Sequence, residues 1–315
     1  MNLTADPFTA GLPGGDINGG HADMSFGTAL GDRTGRCNCP LKQDEQQFQF
    51  VTNFTKSLGA HTAKFGIDVR RAFNLRVPSD NHRSGEIDFN AERTQGPTGG
   101  GMGLATFLLG DVSGYRRFVS SSTDARERQW RFFVYAQDTW RATPKWTFNY
   151  GIRLEDIMPQ SVNEAGNAGF FDLETGEMKV AGVGGVGLNG DIKNKINIAP
   201  RLGIAYQLNE KTVIRMGYGR SYDIGVFGST FGHSVTQNLP VLSFQSLNPP
   251  NNFDSVFNLA TGPSAAVFPN VPQNGRLPLP NGVSARLLPD EQNLSHVDAY
   301  NVTLQRELSS TVSAE

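Results

Sequence analysis

Trp146-Thr147-Phe148-Asn149-Tyr150-Gly151-Ile152-Arg153-Leu154-Glu155 alternates apolar and polar residues without a break. Trp146, Phe148, Tyr150, Ile152 and Leu154 fall on one face; Thr147, Asn149, Gly151, Arg153 and Glu155 fall on the other. Period two marks a strand, because successive side chains leave a pleated backbone on opposite sides. Soluble strands average roughly five or six residues. This one is far longer.

The same pattern recurs on both sides of it. Ala63, Phe65, Ile67, Val69 and Phe73 oppose Lys64, Gly66, Asp68 and Arg70. Ile196, Ile198, Leu202, Ile204 and Tyr206 oppose Asn197, Arg201, Gly203 and Gln207, with Pro200 the one awkward member. Ile214, Met216, Tyr218 and Tyr222 oppose Arg215, Gly217, Gly219 and Ser221; Tyr300, Val302 and Leu304 oppose Asn301, Thr303, Gln305 and Glu307. Trp130 to Trp140 is a length gauge. Ten steps of ~3.3 Å, tilted by ~40°, climb about 25 Å, the height of the apolar band on a membrane barrel. Trp130 and Trp140 then mark the two interfacial girdles, and the bland alternative is two Trp at the rims of a soluble sandwich.

Connections alternate in length. Short links join 57–60, 141–145, 208–211 and 309–310, while long ones run over 156–195 and 223–295. Outer-membrane barrels have short periplasmic turns and long extracellular loops, so each strand acquires a direction. Strands 45–56, 126–141, 196–208 and 296–308 run inward to the periplasm, and 61–73, 145–156, 211–222 and the start at 311–315 run outward. Parity requires an even number of spans between Phe73 and Arg126. We expect two, Gly85 to Ala91 and Val112 to Ser121, with Gly103 to Leu109 a short helix near the periplasmic rim.

Composition suits this reading. Charged residues are 18% of 315, against 36 Gly and 21 Phe, and the net charge of −2 gives no case for nucleic acid. No apolar run is long enough for a membrane helix, and a mean hydropathy of −0.35 does not decide, since a barrel strand is apolar only at alternate residues. Met1 to Pro7 lacks the basic and apolar regions of a signal peptide, so both ends of the chain are expected to continue into a longer protein. Cys37 and Cys39 are either a plain loop pair or a bridge formed in an oxidising periplasm.

Chemistry-bearing motifs are missing. Gly99-Gly100-Gly101 lacks the Lys of a phosphate cradle, the five histidines are scattered, and no nucleophile elbow occurs. Asp172 to Glu177 reads as an acidic surface turn rather than a calcium loop. We expect no enzyme activity, no cofactor and no metal. The polar face is more informative: Asp68, Arg70, Arg153, Glu155, Arg201, Arg215 and Glu307 line a lumen if the strands form a barrel, and Gly217 and Gly219 leave room for a plug backbone. The apolar face carries Trp130, Trp140, Trp146, Phe148, Tyr150, Tyr206, Tyr218, Tyr222 and Tyr300 toward lipid.

Phe133-Val134-Tyr135-Ala136-Gln137-Asp138-Thr139-Trp140-Arg141 with Thr143-Pro144-Lys145 and Asn149-Tyr150-Gly151-Ile152-Arg153 resembles the barrel hairpin of Oar-like TonB-dependent receptors. Ala199 to Tyr206, Lys211 to Gly219, His61 to Asp68 and Asn301 to Arg306 extend that resemblance over about 37–315. It implies a plug, an N-terminal regulatory-like domain, a barrel of about 22 strands, and uptake of a bulky ligand driven through TonB. No signal, TonB box or plug segment is present, so the piece alone is expected to be unable to transport.

The expectation is therefore an all-β, antiparallel transmembrane β-barrel segment. It has about 8–9 strands of a larger barrel in an open curved sheet, with an irregular segment over 1–44 and barrel over 45–315. It belongs in a Gram-negative outer membrane, against lipid, a plug and the TonB complex. The long loops form the extracellular mouth, with Phe227, Phe231, Phe244 and Phe253 in it. The imported ligand is open. The rival is a secreted or surface-attached adhesin, an all-β module whose apolar faces would be buried between two sheets.

Overall fold

A computed structural model describes residues 23–27, 43–76, 85–223, 235–281, 283–309 and 311–314. In chain order the strands are β1 (Asp23–Ser25), β2 (Gln43–Leu58), β3 (His61–Arg76), β4 (Glu86–Asp88), β5 (Asp111–Val112), β6 (Gly114–Ser120), β7 (Arg126–Arg141), β8 (Trp146–Ile157) and β9 (Ser161–Val162). They continue as β10 (Gly169–Asp172), β11 (Glu177–Val180), β12 (Ile196–Asn209), β13 (Thr212–Tyr222), β14 (Leu242–Leu247), β15 (Phe257–Asn258), β16 (Arg276–Pro278), β17 (His296–Ser309) and β18 (Val312–Ala314). The helix α1 covers Gly103–Leu109.

The long strands form one antiparallel wall in the order β2-β3-β7-β8-β12-β13-β17-β18, with β9 added beside β7. The end strands β2 and β18 do not pair, so the sheet is open among the described residues. Its register is staggered. The hydrogen-bonded row that begins at His61, the first residue of β3, passes through Trp140, Phe148 and Ile204 to Met216, well inside β13. A steady offset of this kind is what tilted strands need to close into a barrel.

Local chemistry makes the short turns. Gly59 supplies φ 58° between β2 and β3, a conformation that costs a side chain with Cβ about 1 kcal/mol or more. The Thr143 hydroxyl accepts from the backbone N–H of Lys145 and Trp146, and the Asn209 side chain accepts from that of Lys211. Such side-chain-to-backbone bonds stand in for ladder bonds that the chain gives up as it reverses.

The wall matches the expected strands within a few residues, but its middle does not. β3 pairs directly with β7. The segments expected as spans, 85–91 and 112–121, instead contribute β4 and β6 to a separate sheet of order β1-β4-β6-β14. Parity holds with no span between them. Strands β4 and β6 are too short to cross, and they are buried on both faces: Ile87, Tyr115 and Val119 on one, Glu86 and Ser120 on the other. The α1 helix is present, but at the long-loop end and not at the opposite rim. Phe107 packs edge-on against Phe26 and Phe89 at 5.5 and 5.2 Å. The segment 1–44, expected to be irregular, contains β1, which pairs in parallel with β4.

The loops are a folded layer. β10, β11 and β16 make a second small sheet from the connections 158–195 and 223–295. Asn238 ties those connections together, donating to the carbonyls of Gly169 and Arg286 and accepting from the Arg286 N–H. Glu127 fixes the layer to the wall, accepting from Asn74 Nδ2 at 2.9 Å and from Thr236 Oγ1 at 3.1 Å.

Candidate membrane interface and polar face

The register sorts the wall into two chemistries. Tyr206, Trp146 and Ile214 form one row, Phe148, Trp140 and Ile204 another, and Tyr150, Leu202, Tyr218 and Tyr300 a third, all on one side. Trp130 and Tyr222 lie on that side as well. The nine aromatic residues singled out above therefore share a face. Among the described residues no second layer covers it: Ile152 is 45% exposed, Leu202 56% and Tyr300 76%. A sandwich would bury these side chains, so the adhesin architecture does not describe this sheet.

The apolar face has polar limits. At the short-turn end, Asp138 accepts from the Tyr150 hydroxyl at 2.9 Å and lies 2.6 Å from His61 Nδ1, whose ring stacks on Trp140. At the loop end, Asp298 takes a two-point grip from Arg220 at 2.8 Å and accepts from the Tyr218 hydroxyl at 3.0 Å. Trp146 stacks on Tyr206 at 4.2 Å near the turns. Sequence reading missed both clusters. Each acid interrupts an apolar row, which was the available signal, but its partners come from neighbouring strands.

Asp68, Arg70, Arg153, Glu155, Arg201, Arg215, Gly217, Gly219 and Glu307 all lie on the opposite face. Its loop end is covered: Asn74, Gln129, Arg131, Phe133, Glu155, Ile157 and Asn197 are buried beneath the loop layer. Asp68, Phe133 and Glu155 form one cross-strand row. Phe133 packs with Ile157 and Leu294, and Arg70 and Arg153 place their guanidinium groups over its ring at 5.1 and 4.4 Å. Each cation is paired along its own strand, Arg70 to Asp68 at 2.7 Å and Arg153 to Glu155 at 2.9 Å.

Toward the turns this face is small and flat. A Cβ on Gly66 would stand 2.1 Å from the Tyr135 ring, one on Gly151 2.6 Å from Gln137, and one on Gly217 2.1 Å from Asn301 Oδ1. Gly217, expected to admit another backbone, is therefore filled by its neighbour's amide. Gly219 has only Arg201 within reach, at 3.9 Å. The expected mouth residue Phe244 packs on Phe118 at 4.9 Å and Phe253 is exposed; Phe227, Phe231, Cys37 and Cys39 lie outside the described residues.

In the loop layer, Asp172 closes the β10–β11 turn against Arg276, whose donated hydrogen bond holds the carboxyl below the ordinary carboxylate range. Burial pushes the Tyr115 hydroxyl up to about 12 despite the neighbouring Arg117. These are packing roles, not reaction chemistry.

A family model described as an outer membrane beta barrel domain matches residues 2–315. No match was found among curated proteins or among solved structures.

Proposed function

This chain belongs to the outer membrane beta barrel domain family, and on that premise we propose that it forms the wall and extracellular mouth of a TonB-dependent transporter for a bulky ligand. Membership places it in the outer membrane of a Gram-negative cell, against lipid. The apolar face then meets hydrocarbon, and the polar face lines a lumen that a plug occupies. The chain acts by geometry, as the wall and mouth of the barrel.

One observation carries the reading: among the described residues an uncovered apolar face backs onto a polar face that a folded loop layer closes at one end. A simple porin needs an open, water-filled passage. A receptor needs a shaped mouth above a lumen, and loops tied together at Asn238 and anchored at Glu127 provide one. The Oar-like hairpin motifs point the same way.

Cysteine labelling of the full-length protein in cells tests this. At Ile152→Cys, only a lipid-soluble maleimide should react. At Arg215→Cys, a water-soluble one should react at a rate that rises with proton-motive force and loses that response without TonB. Rapid water-phase labelling at 152 ends the membrane-face assignment. An Arg215→Cys rate indifferent to TonB ends the transport assignment.

A further inference from the structure

We infer that the loop end of the apolar face carries a built site for the phosphate of an anionic lipid headgroup, formed by Arg71, Arg128 and Trp130. Cross-strand register sets Arg71 opposite Trp130 and Phe73 opposite Arg128, so the two cations sit diagonally on one side of the β3–β7 pair. The Arg71 guanidinium lies over the Trp130 ring at 4.6 Å and over Phe73 at 5.2 Å. Stacking fixes its plane and leaves its N–H edges free.

Among the described residues neither guanidinium forms an ion pair, and Arg128 Nε is buried with no acceptor. The near carboxylate on this face, Asp156, is engaged by Asn194 Nδ2 at 2.5 Å. Two unneutralised cations border a cleft of about 310 Å³ that also touches Ser161, Asn189 and Asn194. An unpaired cation beside apolar surface is costly, and a second beside it adds repulsion; an anion bridging the pair removes both penalties.

The occupant follows from position. The cleft is continuous with the apolar face, so its ligand has acyl chains as well as a phosphate. Strands that run toward the long loops place it in the outer leaflet. The inference rests on the membrane reading of that face.

Native mass spectrometry of the full-length protein in neutral detergent tests it, titrating phosphatidylglycerol, phosphatidylcholine and inorganic phosphate separately. We expect phosphatidylglycerol to bind about tenfold more tightly than phosphatidylcholine, and Arg71→Gln/Arg128→Gln to lose that margin. Arg126→Gln, whose cation is already paired with Asp124, should bind as the parent does. Arg71→Lys/Arg128→Lys, which keeps both charges, should retain most of the affinity. Should the double Gln variant not fold, Arg71→Gln alone should weaken binding several-fold. Equal phosphatidylglycerol binding by parent and Gln variants overturns the site, and inorganic phosphate binding as well as the lipid does so too. A protein that still needs detergent but shows no headgroup preference loses this site and keeps its membrane face.

Discussion

Arg153 holds its guanidinium 4.4 Å above the ring of Phe133, on the strand next to it. Arg70 reaches the same ring from the other side of β7 at 5.1 Å. An aromatic residue on an otherwise polar face thus serves as the platform that spaces two cations and their paired acids, where the loop layer meets the wall.

Phe133→Ala should cost about 3 kcal/mol or more, from lost apolar packing with Ile157 and Leu294 plus a cavity between charges. Phe133→Leu should recover more than half of that. Urea unfolding of protein refolded into vesicles measures both, and a Phe133→Ala change under about 1 kcal/mol means the residue is not a packing centre.

An arginine placed in hydrocarbon is expensive, and one in water is not. Ile152→Arg should therefore destabilise the vesicle-inserted protein by about 2–4 kcal/mol. Asn149→Arg, on the opposite face of the same strand, should cost less than about 1 kcal/mol. The same unfolding titration compares them, and equal costs would falsify the assignment of faces.

Gly66 and Tyr135 form a coupled pair, since Cβ at 66 would stand 2.1 Å from the ring. Gly66→Ala should cost about 1–3 kcal/mol by overpacking. Combined with Tyr135→Ala, which also removes the 2.7 Å hydrogen bond to Asn53, the two changes should cost less than their sum. Strict additivity in the double-mutant cycle is the adverse result.

Asp172 gives the loop layer an acid sensitivity. Its folded pKa is depressed by the hydrogen bond from Arg276, so the stabilisation is complete above the unfolded carboxylate value and is lost as pH falls through the folded one. Amide exchange at Met178 and Val180 should accelerate below the ordinary carboxylate range, while β7 and β8 stay protected. Asp172→Asn should lack the pH response, and an unchanged response in that variant assigns it to another group.

The wall was readable from the chain because a strand wet on one side and greasy on the other writes itself as strict alternation. Trp146 to Glu155 fixes its own two faces with no knowledge of its neighbours. Segments 85–91 and 112–121 misled because a short strand buried on both sides, with Ile87, Tyr115 and Val119 under one face and Glu86 and Ser120 under the other, has no alternation to separate a loop sheet from a membrane span.

Period two alone determined the long strands, their faces and the side of the sheet on which each of the eighteen aromatic, charged and glycine positions lies. Tertiary structure decided which strands are neighbours, and with that the Phe133 platform, the Asp138 and Asp298 clusters and the unneutralised Arg71–Arg128 pair. The reason is physical: alternation is a property of one backbone, whereas every one of those contacts joins side chains from separate strands, set by a register that no single strand contains.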